Sequence, residues 1–302
     1  MPSANLAPMT ELQTLRDLLR YAVSRFHEGK LFFGHGSDSA WNEAVYLLLH
    51  TLHLPPENLE PFLDARVLPE ERERFLSVLQ QRCELRKPAA YLTGEAWLQG
   101  HRFVVDERVI IPRSPISELL ADSLSPWIIE PEAIHRALDL CTGSGCLAIL
   151  TAYAFPNAQV DAVDISEDAL EVAKQNIALH GMQGHVHPVL SNLFEALPRE
   201  QQYDLIVCNP PYVNQASLDA LPREYLHEPT LALAGGNDGM DLVRRILHDV
   251  PDYLAPGGTL VLEIGHEYDN FVNAFPELEP VWLSTATADN QILLLTREQL
   301  ES

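Results

Sequence analysis

Short apolar segments alternate with helical stretches from residue 135 onward, and this alternation restricts the fold more than any other feature of the chain. HRALDL (135–140), AQVDAVDI (158–165), VHPVL (186–190), YDLIVC (203–208), GTLVLEIG (258–265) and QILLLTR (291–297) each have the length of a strand. Strands covered on both faces read as nearly continuous apolar runs, and strand–helix–strand connections join parallel neighbours. The expected fold is therefore α/β: a Rossmann-like, doubly wound and mostly parallel sheet with helices on both faces. Such sheets bind ligands outside the carboxyl ends of the strands, where the strand order reverses.

Upstream the apolar period becomes helical. ELQTLRDLLRYAVSRF (11–26) places Leu12, Leu15, Leu18, Leu19, Ala22, Val23 and Phe26 on one stripe. AWNEAVYLLLHTLHL (40–54) follows, with Asp38 or Ser39 as its N-cap and Pro55-Pro56 as its stop. A third helix, starting near Pro69, turns Phe75, Leu76, Val78, Leu79 and Cys83 inward and leaves EERER on its solvated face. Residues 1–88 are expected to form a small helical domain. In 89–112 β-branched and aromatic residues alternate with polar ones around Gly94 and Gly100, which predicts a linking β-hairpin. Residues 113–302 form the α/β domain.

With 302 residues, 46% of them hydrophobic and 21% charged, the chain has the composition of a globular protein with a substantial core. It contains no run of about 20 apolar residues, and MPSANLAPMTELQ lacks the charged and apolar regions of a signal peptide, so a cytoplasmic location is expected. The four cysteines show neither a C-x-x-C pair nor zinc-ligand spacing, which predicts reduced thiols and no metal. A net charge of −23 repels nucleic acid and favours a basic partner.

The candidate chemistry lies at the strand ends. In LDLCTGSGCLAI (138–149), Gly143 and Gly145 permit a tight turn and close backbone approach around Cys141 and Thr142. Asp139, at the end of the first strand, can meet an ammonium group where a phosphate would be repelled. Asp164 closes the second strand, with Ile165 beside it, and is placed to accept both hydroxyls of a ribose, while Ser166 caps the next helix. SNLF (191–194) offers Asn192 and Leu193 as a border for an adenine ring. The fourth strand ends in NPPY (209–212), where Pro210 and Pro211 lack N–H groups and stiffen the turn. The Asn209 side chain and the Pro210 carbonyl are left as acceptors for a group that has N–H hydrogens to give.

Asp-x-x-x-Gly-x-Gly, Asp164 and NPPY together resemble class I S-adenosylmethionine-dependent methyltransferases that modify a planar amide or an exocyclic amine. RKPAAYLTG, F-x-V-D-E-R-V-I-I-P-R, HEPTLAL and LEIG extend the resemblance over nearly the whole chain, to the HemK/PrmC/PrmB group of protein-glutamine methyltransferases. IPRSPISEL (111–119) and FFGHGSDSAWNEA (32–44) are similar to the PrmB branch, which acts on a glutamine of the third protein of the large ribosomal subunit. The resemblance implies S-adenosylmethionine as cofactor and a basic ribosomal protein as partner, free or in an assembly intermediate, with no nucleic-acid substrate and no membrane. It implies catalytic roles for Asn209, Pro210 and Tyr212, the last packing against the substrate amide. Cofactor contacts are expected from Asp139, Cys141, Thr142, Gly143, Gly145, Asp164, Ile165, Asn192, Leu193 and Asn209. Substrate contacts are expected from Asn209, Pro210, Pro211, Tyr212, Glu228 and Pro229, with His227 as a further candidate. The helical domain and hairpin are expected to dock the substrate.

Two residues depart from the family pattern: Asn192 stands where an Asp is usual, and Cys141 where relatives often carry glycine. Other readings of the same features are a release-factor glutamine methyltransferase, an adenine amino-methyltransferase acting on DNA or RNA, and a silent ribosome-assembly module. The nucleic-acid reading needs a basic surface. Arg72, Arg74, Arg82, Arg86 and Lys87 of the helical domain are instead interspersed with Glu70, Glu71, Glu73 and Glu84. The full set of strand-end residues argues against a silent module.

Overall fold

The structure, a computed structural model, describes residues 11–56 and 58–301; the first ten residues of the segment read above for a signal lie outside them. The chain divides into two units, Met1–Gly94 and Glu95–Ser302. The division falls at Gly94/Glu95, so the short helix α4 (Ala89–Thr93) belongs to the helical unit and not to the hairpin. Among the described residues no helix is long and apolar enough to cross a membrane.

In the first unit, α1 (Leu15–Glu28) starts at a capping box. The Thr14 hydroxyl accepts from the Asp17 amide at 3.2 Å, and the Asp17 carboxylate accepts from the Thr14 amide at 3.0 Å. Ser39 is the N-cap of α2 (Ala40–Thr51), accepting from the Asn42 amide at 3.2 Å. α3 (Pro69–Gln80) runs into a π-helical turn, Gln81–Leu85, that ends at Arg86 with φ +64°. The widened turn changes the phase of the helix and carries Arg82 into the core, where it is 1% exposed. Its Nε donates to Glu43 Oε1 at 2.6 Å and its Nη2 to the Phe32 carbonyl at 2.8 Å. Arg82, one of the arginines interspersed with glutamates in this domain, is therefore buried and ion-paired. Leu18, Leu19, Phe26, Leu47, Leu48 and Phe75 pack around this pair's helices as the core.

The second unit begins with a hairpin of β1 (Glu95–Leu98) and β2 (His101–Val104). Its two turn residues, Gln99 and Gly100, both have positive φ (49° and 75°), the pairing that matches the twist of the strands. After α5 (Ile116–Ala121), strands β3 (Arg136–Leu140), β4 (Gln159–Asp164), β5 (Val186–Leu190), β6 (Tyr203–Cys208) and β7 (Leu254–Glu263) pair in parallel. β8 (Val281–Leu283) and β9 (Ile292–Thr296) add antiparallel, giving the order β5-β4-β3-β6-β7-β9-β8. β8 has no counterpart among the segments read from the sequence. Pro188 sits in β5, an edge strand, where a sheet tolerates proline.

Ala137, Leu205, Val207 and Val261 face the layer of α5 and α6 (Cys146–Ala154). Leu138, Leu140, Ile206, Leu260 and Leu262 face the layer that contains α9 (Asp241–Tyr253). Every one of these side chains is fully buried, so neighbouring positions in one strand feed two cores and the strands read as unbroken apolar runs. The chain leaves β3 toward β4 on one side and returns to β6 on the other, which puts the switch point at the carboxyl ends of β3 and β6.

Candidate active site

A cavity of about 340 Å³ opens at that switch point. Cys141 and Gly143 line it from the loop after β3, Asp164 and Ile165 from the end of β4, Asn192 and Leu193 from the loop after β5, and Asn209 and Pro211 from the end of β6. Four sequence-distant loops thus meet where the sheet topology requires.

Asp164 ties two of these loops together. Its Oδ2 accepts from the Gly143 amide and its Oδ1 from the Ser166 amide, each at 2.9 Å. Both oxygens retain acceptor capacity toward the cavity, and burial raises the carboxyl above its ordinary pKa. Ser166 itself caps α7 (Glu167–Leu179), accepting from the Ala169 amide at 3.1 Å. Cys141 adopts φ +64°, a left-handed conformation that glycine takes without strain. The Thr142 amide pins the loop to the Val163 carbonyl at 2.8 Å. Gly145 lies at the start of α6 against Ala173 and does not reach the cavity wall.

Asp139 also lies off the wall, beneath the loop, and is 1% exposed. Its Oδ2 accepts from the Thr142 hydroxyl at 2.5 Å and the Ala148 amide at 2.9 Å. Its Oδ1 has no hydrogen-bond partner among the described residues. Burial pushes the carboxyl up to about 7, with a smaller contribution from Asp164. A carboxyl raised in the folded state favours folding when protonated, so this contribution is complete below about pH 4 and is lost as pH rises through about 7. Asp139→Asn is expected to flatten the loss of stability between pH 4.5 and 7.5 by at most on the order of 4 kcal/mol. Urea midpoints of both proteins at the two pH values measure this, and equal slopes would refute the assignment. Asp164 and Glu263, also raised by burial, leave a residual slope of the same sign.

Asn209 is half-buried on the cavity wall, and its side-chain amide makes no hydrogen bond among the described residues. Pro210 is buried behind it. The chain then runs beside a downstream segment and on into the short helix α8 (Gln215–Asp219): the Val213 amide donates to the Leu233 carbonyl and the Gly235 amide to the Val213 carbonyl, both at 2.9 Å. Tyr212 is turned away from the cavity wall, and its hydroxyl donates to Glu263 Oε1 at 2.9 Å. The other oxygen of Glu263 accepts from the Ser114 hydroxyl at 2.5 Å. Burial raises both the Tyr212 phenol and the Glu263 carboxyl. A Cβ at Gly235 would lie 2.7 Å from both Cα and the carbonyl carbon of Tyr212. Added at Gly239 or Gly265 it would overlap the Tyr212 carbonyl oxygen or ring. The glycines of AGGNDGM and LEIG thus form the bed in which this tyrosine lies.

Glu228 is not at the cavity. It is 4% exposed, and it accepts from Arg113 Nη1 and Nη2 at 2.5 and 2.8 Å and from the Ile111 amide at 3.0 Å. Pro229 is on the wall, whereas His227 lies 3.5 Å from Glu107. Asn192 is engaged at both ends of its amide: Nδ2 donates to Glu195 Oε1 at 2.6 Å, and Oδ1 accepts from Arg245 Nη2 at 3.1 Å. An aspartate there would face Glu195 without a hydrogen to donate, which explains an amide at this position.

The profile of the PrmC N-terminal domain matches residues 17–94, and that of the methyltransferase small domain matches residues 116–237. A ribosomal protein uL3 glutamine methyltransferase of Bordetella pertussis is 67% identical, over 97% of this chain and 98% of its own. Proteins of the same name from Burkholderia pseudomallei and Neisseria gonorrhoeae are 55% and 56% identical, over 96% of this chain and 97% and 96% of theirs. The chain belongs to the family of ribosomal protein uL3 glutamine methyltransferases. The catalytic domain of hMettl16 in complex with MAT2A 3′UTR hairpin 6 shares the fold, with a TM-score of 0.51 at 15% identity, over 79% of this chain and 85% of that one.

Within this family member, the first profile covers the described helical unit from Asp17 on, and the second ends beside Gly236, short of Glu263. Sequence reasoning missed part of the cavity wall: Arg108, Val109 and Ile110 after the hairpin, and Asp241, Leu242 and Arg245 of α9. DERVIIPR carried a signal only as a family likeness, and the α9 residues carried none.

Proposed function

We propose that the protein transfers a methyl group from S-adenosylmethionine to the side-chain nitrogen of a glutamine in ribosomal protein uL3. The observation that carries this reading is the unpartnered Asn209 amide on a cavity whose other walls suit a nucleoside. Ile165 and Leu193 offer apolar walls to an adenine, Asp164 offers acceptors to a ribose, and the orphaned Asp139 Oδ1 supplies negative potential for a cationic amino-acid moiety. The carboxylate of Asp164 on the wall and that of Asp139 beneath it fit a cationic sulfonium nucleoside, and the two arginines of the wall are engaged elsewhere, Arg108 by Asp106 and Arg245 by Asn192 and Glu195. The near-full-length similarity to uL3 glutamine methyltransferases supports the choice of acceptor.

S-adenosylmethionine supplies an electrophilic methyl group when bound. The chain supplies position and electrostatics. A carboxamide nitrogen is a poor nucleophile because its lone pair is delocalised. Accepting its two hydrogens on Asn209 Oδ1 and the Pro210 carbonyl orients that nitrogen and stabilises the positive charge it gains in the transition state. Methylation leaves an acidic, cationic nitrogen that gives up its proton without a dedicated base. The same two acceptors reject a glutamate, which brings no N–H and adds negative charge. Tyr212 holds the turn through Glu263.

Two experiments test the reading. Labelled S-adenosylmethionine is incubated with the enzyme and undermethylated uL3, and the label is located by mass spectrometry; label on nucleic acid, or on a residue other than glutamine, refutes it. Asp164→Ala is expected to weaken S-adenosylmethionine binding at least about 10-fold, since a charge-assisted hydrogen bond is worth about 1.5–3 kcal/mol. Unchanged affinity by calorimetry in a folded variant would exclude the ribose role.

A further inference from the structure

Between Arg223 and Ala232 the usual placement of residue types is inverted. Glu224 and Glu228 are 2% and 4% exposed, whereas Leu226 and Leu231 are 74% and 62% exposed. Burying carboxylates is costly unless they are paired, and exposing leucines forgoes hydrophobic stabilisation. Arg113 anchors the segment: it holds Glu228 with two hydrogen bonds and lies 5.3 Å over the Tyr225 ring. The segment consists of two short 3₁₀ turns, Arg223–His227 and Thr230–Ala232, so it is a shaped surface and not a loose loop. Leu231 lines the cavity that holds Asn209 and so borders the place where a target side chain would enter, and Leu226 stands five residues before it in the same segment.

We propose that Leu226 and Leu231 form a docking shelf for the substrate polypeptide, and that it takes a nonpolar side chain lying within a few residues of the target glutamine. This inference rests on the proposed methyl transfer to a protein glutamine. A planar amide gives the Asn209 turn few contacts, so discrimination among glutamines needs a neighbouring pocket or shelf. A nonpolar flank on the substrate is the complement of two exposed leucines. The strongly negative net charge of −23 selects for basic character over the substrate as a whole, which the shelf alone cannot do.

The test uses the full-length enzyme and a set of synthetic peptides with one central glutamine, flanked by leucine or by serine at the three positions on either side. Methyl transfer gives kcat and KM, and fluorescence anisotropy without methyl donor gives peptide affinity. The wild type is expected to prefer the best leucine-flanked peptide about 10-fold in kcat/KM and in affinity. Leu226→Ser is expected to abolish that preference through KM while kcat at saturation stays unchanged, and Leu226→Met to restore it. A preference that survives Leu226→Ser overturns the inference. So does a change of oligomeric state in sedimentation on Leu226→Ser, which would assign the shelf to a second copy of the chain. If neither uL3 nor any peptide is methylated, the proposed function fails separately, and the anisotropy comparison still decides whether the shelf reads a nonpolar flank.

Discussion

Asn209→Ala is expected to lower kcat at least about 100-fold while leaving the affinity for S-adenosylmethionine nearly intact. The wall of the cavity contributed by Cys141, Asp164, Ile165 and Leu193 is untouched by the change. What is lost is an acceptor whose value rises as the substrate nitrogen becomes positive, so the loss falls on the transition state more than on either ground state. The Asn209 side chain makes no hydrogen bond to the rest of the protein among the described residues, so its removal should not cost stability through a stranded partner. Single-turnover rates with saturating uL3 measure the effect, and robust transfer by the variant would remove the acceptor mechanism.

Gly235→Ala is expected to cost about 1–3 kcal/mol of stability and, in the surviving folded fraction, at least about 10-fold in kcat/KM. The new methyl group would meet Tyr212 backbone atoms at 2.7 Å on one side and the Gly239 carbonyl oxygen at 2.8 Å on the other. Neither neighbour is the free end of a flexible side chain. Relief has to come from the backbone of the turn that carries Asn209, and small displacements of a positioning group are expensive in rate. Gly184→Ala, where a Cβ meets nothing within 4 Å, is the control and should leave both melting temperature and activity near wild type. Equal activity of the two variants would show that the glycine bed does not set the turn.

The strand ends were legible in the sequence because each announces itself locally. An apolar run that stops at Asp164, or at Asn209 followed by two prolines, can be read without knowing what lies beside it. That the sheet is mostly parallel followed from the alternation of strands and helices, whereas its strand order comes only from the structure, and β8 (Val281–Leu283) is too short to show a period. Partners distant in the chain stayed hidden. Nothing near Tyr212 predicts Glu263 and Ser114, and nothing near Glu228 predicts that Arg113 takes both its oxygens. In the sequence Arg82 is one of several arginines interspersed with glutamates, and nothing near it predicts the π turn that sets it on Glu43. Asp139 sits beneath its loop because its carboxylate holds Thr142 and Ala148. In each case a hydrogen bond or an ion pair overrode the local pattern, and a single sequence carries no record of which polar groups meet.

The bed around Tyr212 also fixes when this protein can become active. Gly235, Gly239 and Gly265, with the Glu263 carboxylate, all leave the ribosome after the NPPY turn they support. A nascent chain can pair β4 with β3, and β5 with β4, as soon as each strand emerges, because its partner is already made. The turn that would hold the methyl acceptor has no such support until β6 is joined by β7 and the residues just beyond it. Competence to grip a substrate is thereby deferred to the last stage of synthesis, and chains released early lack the contacts that shape the site.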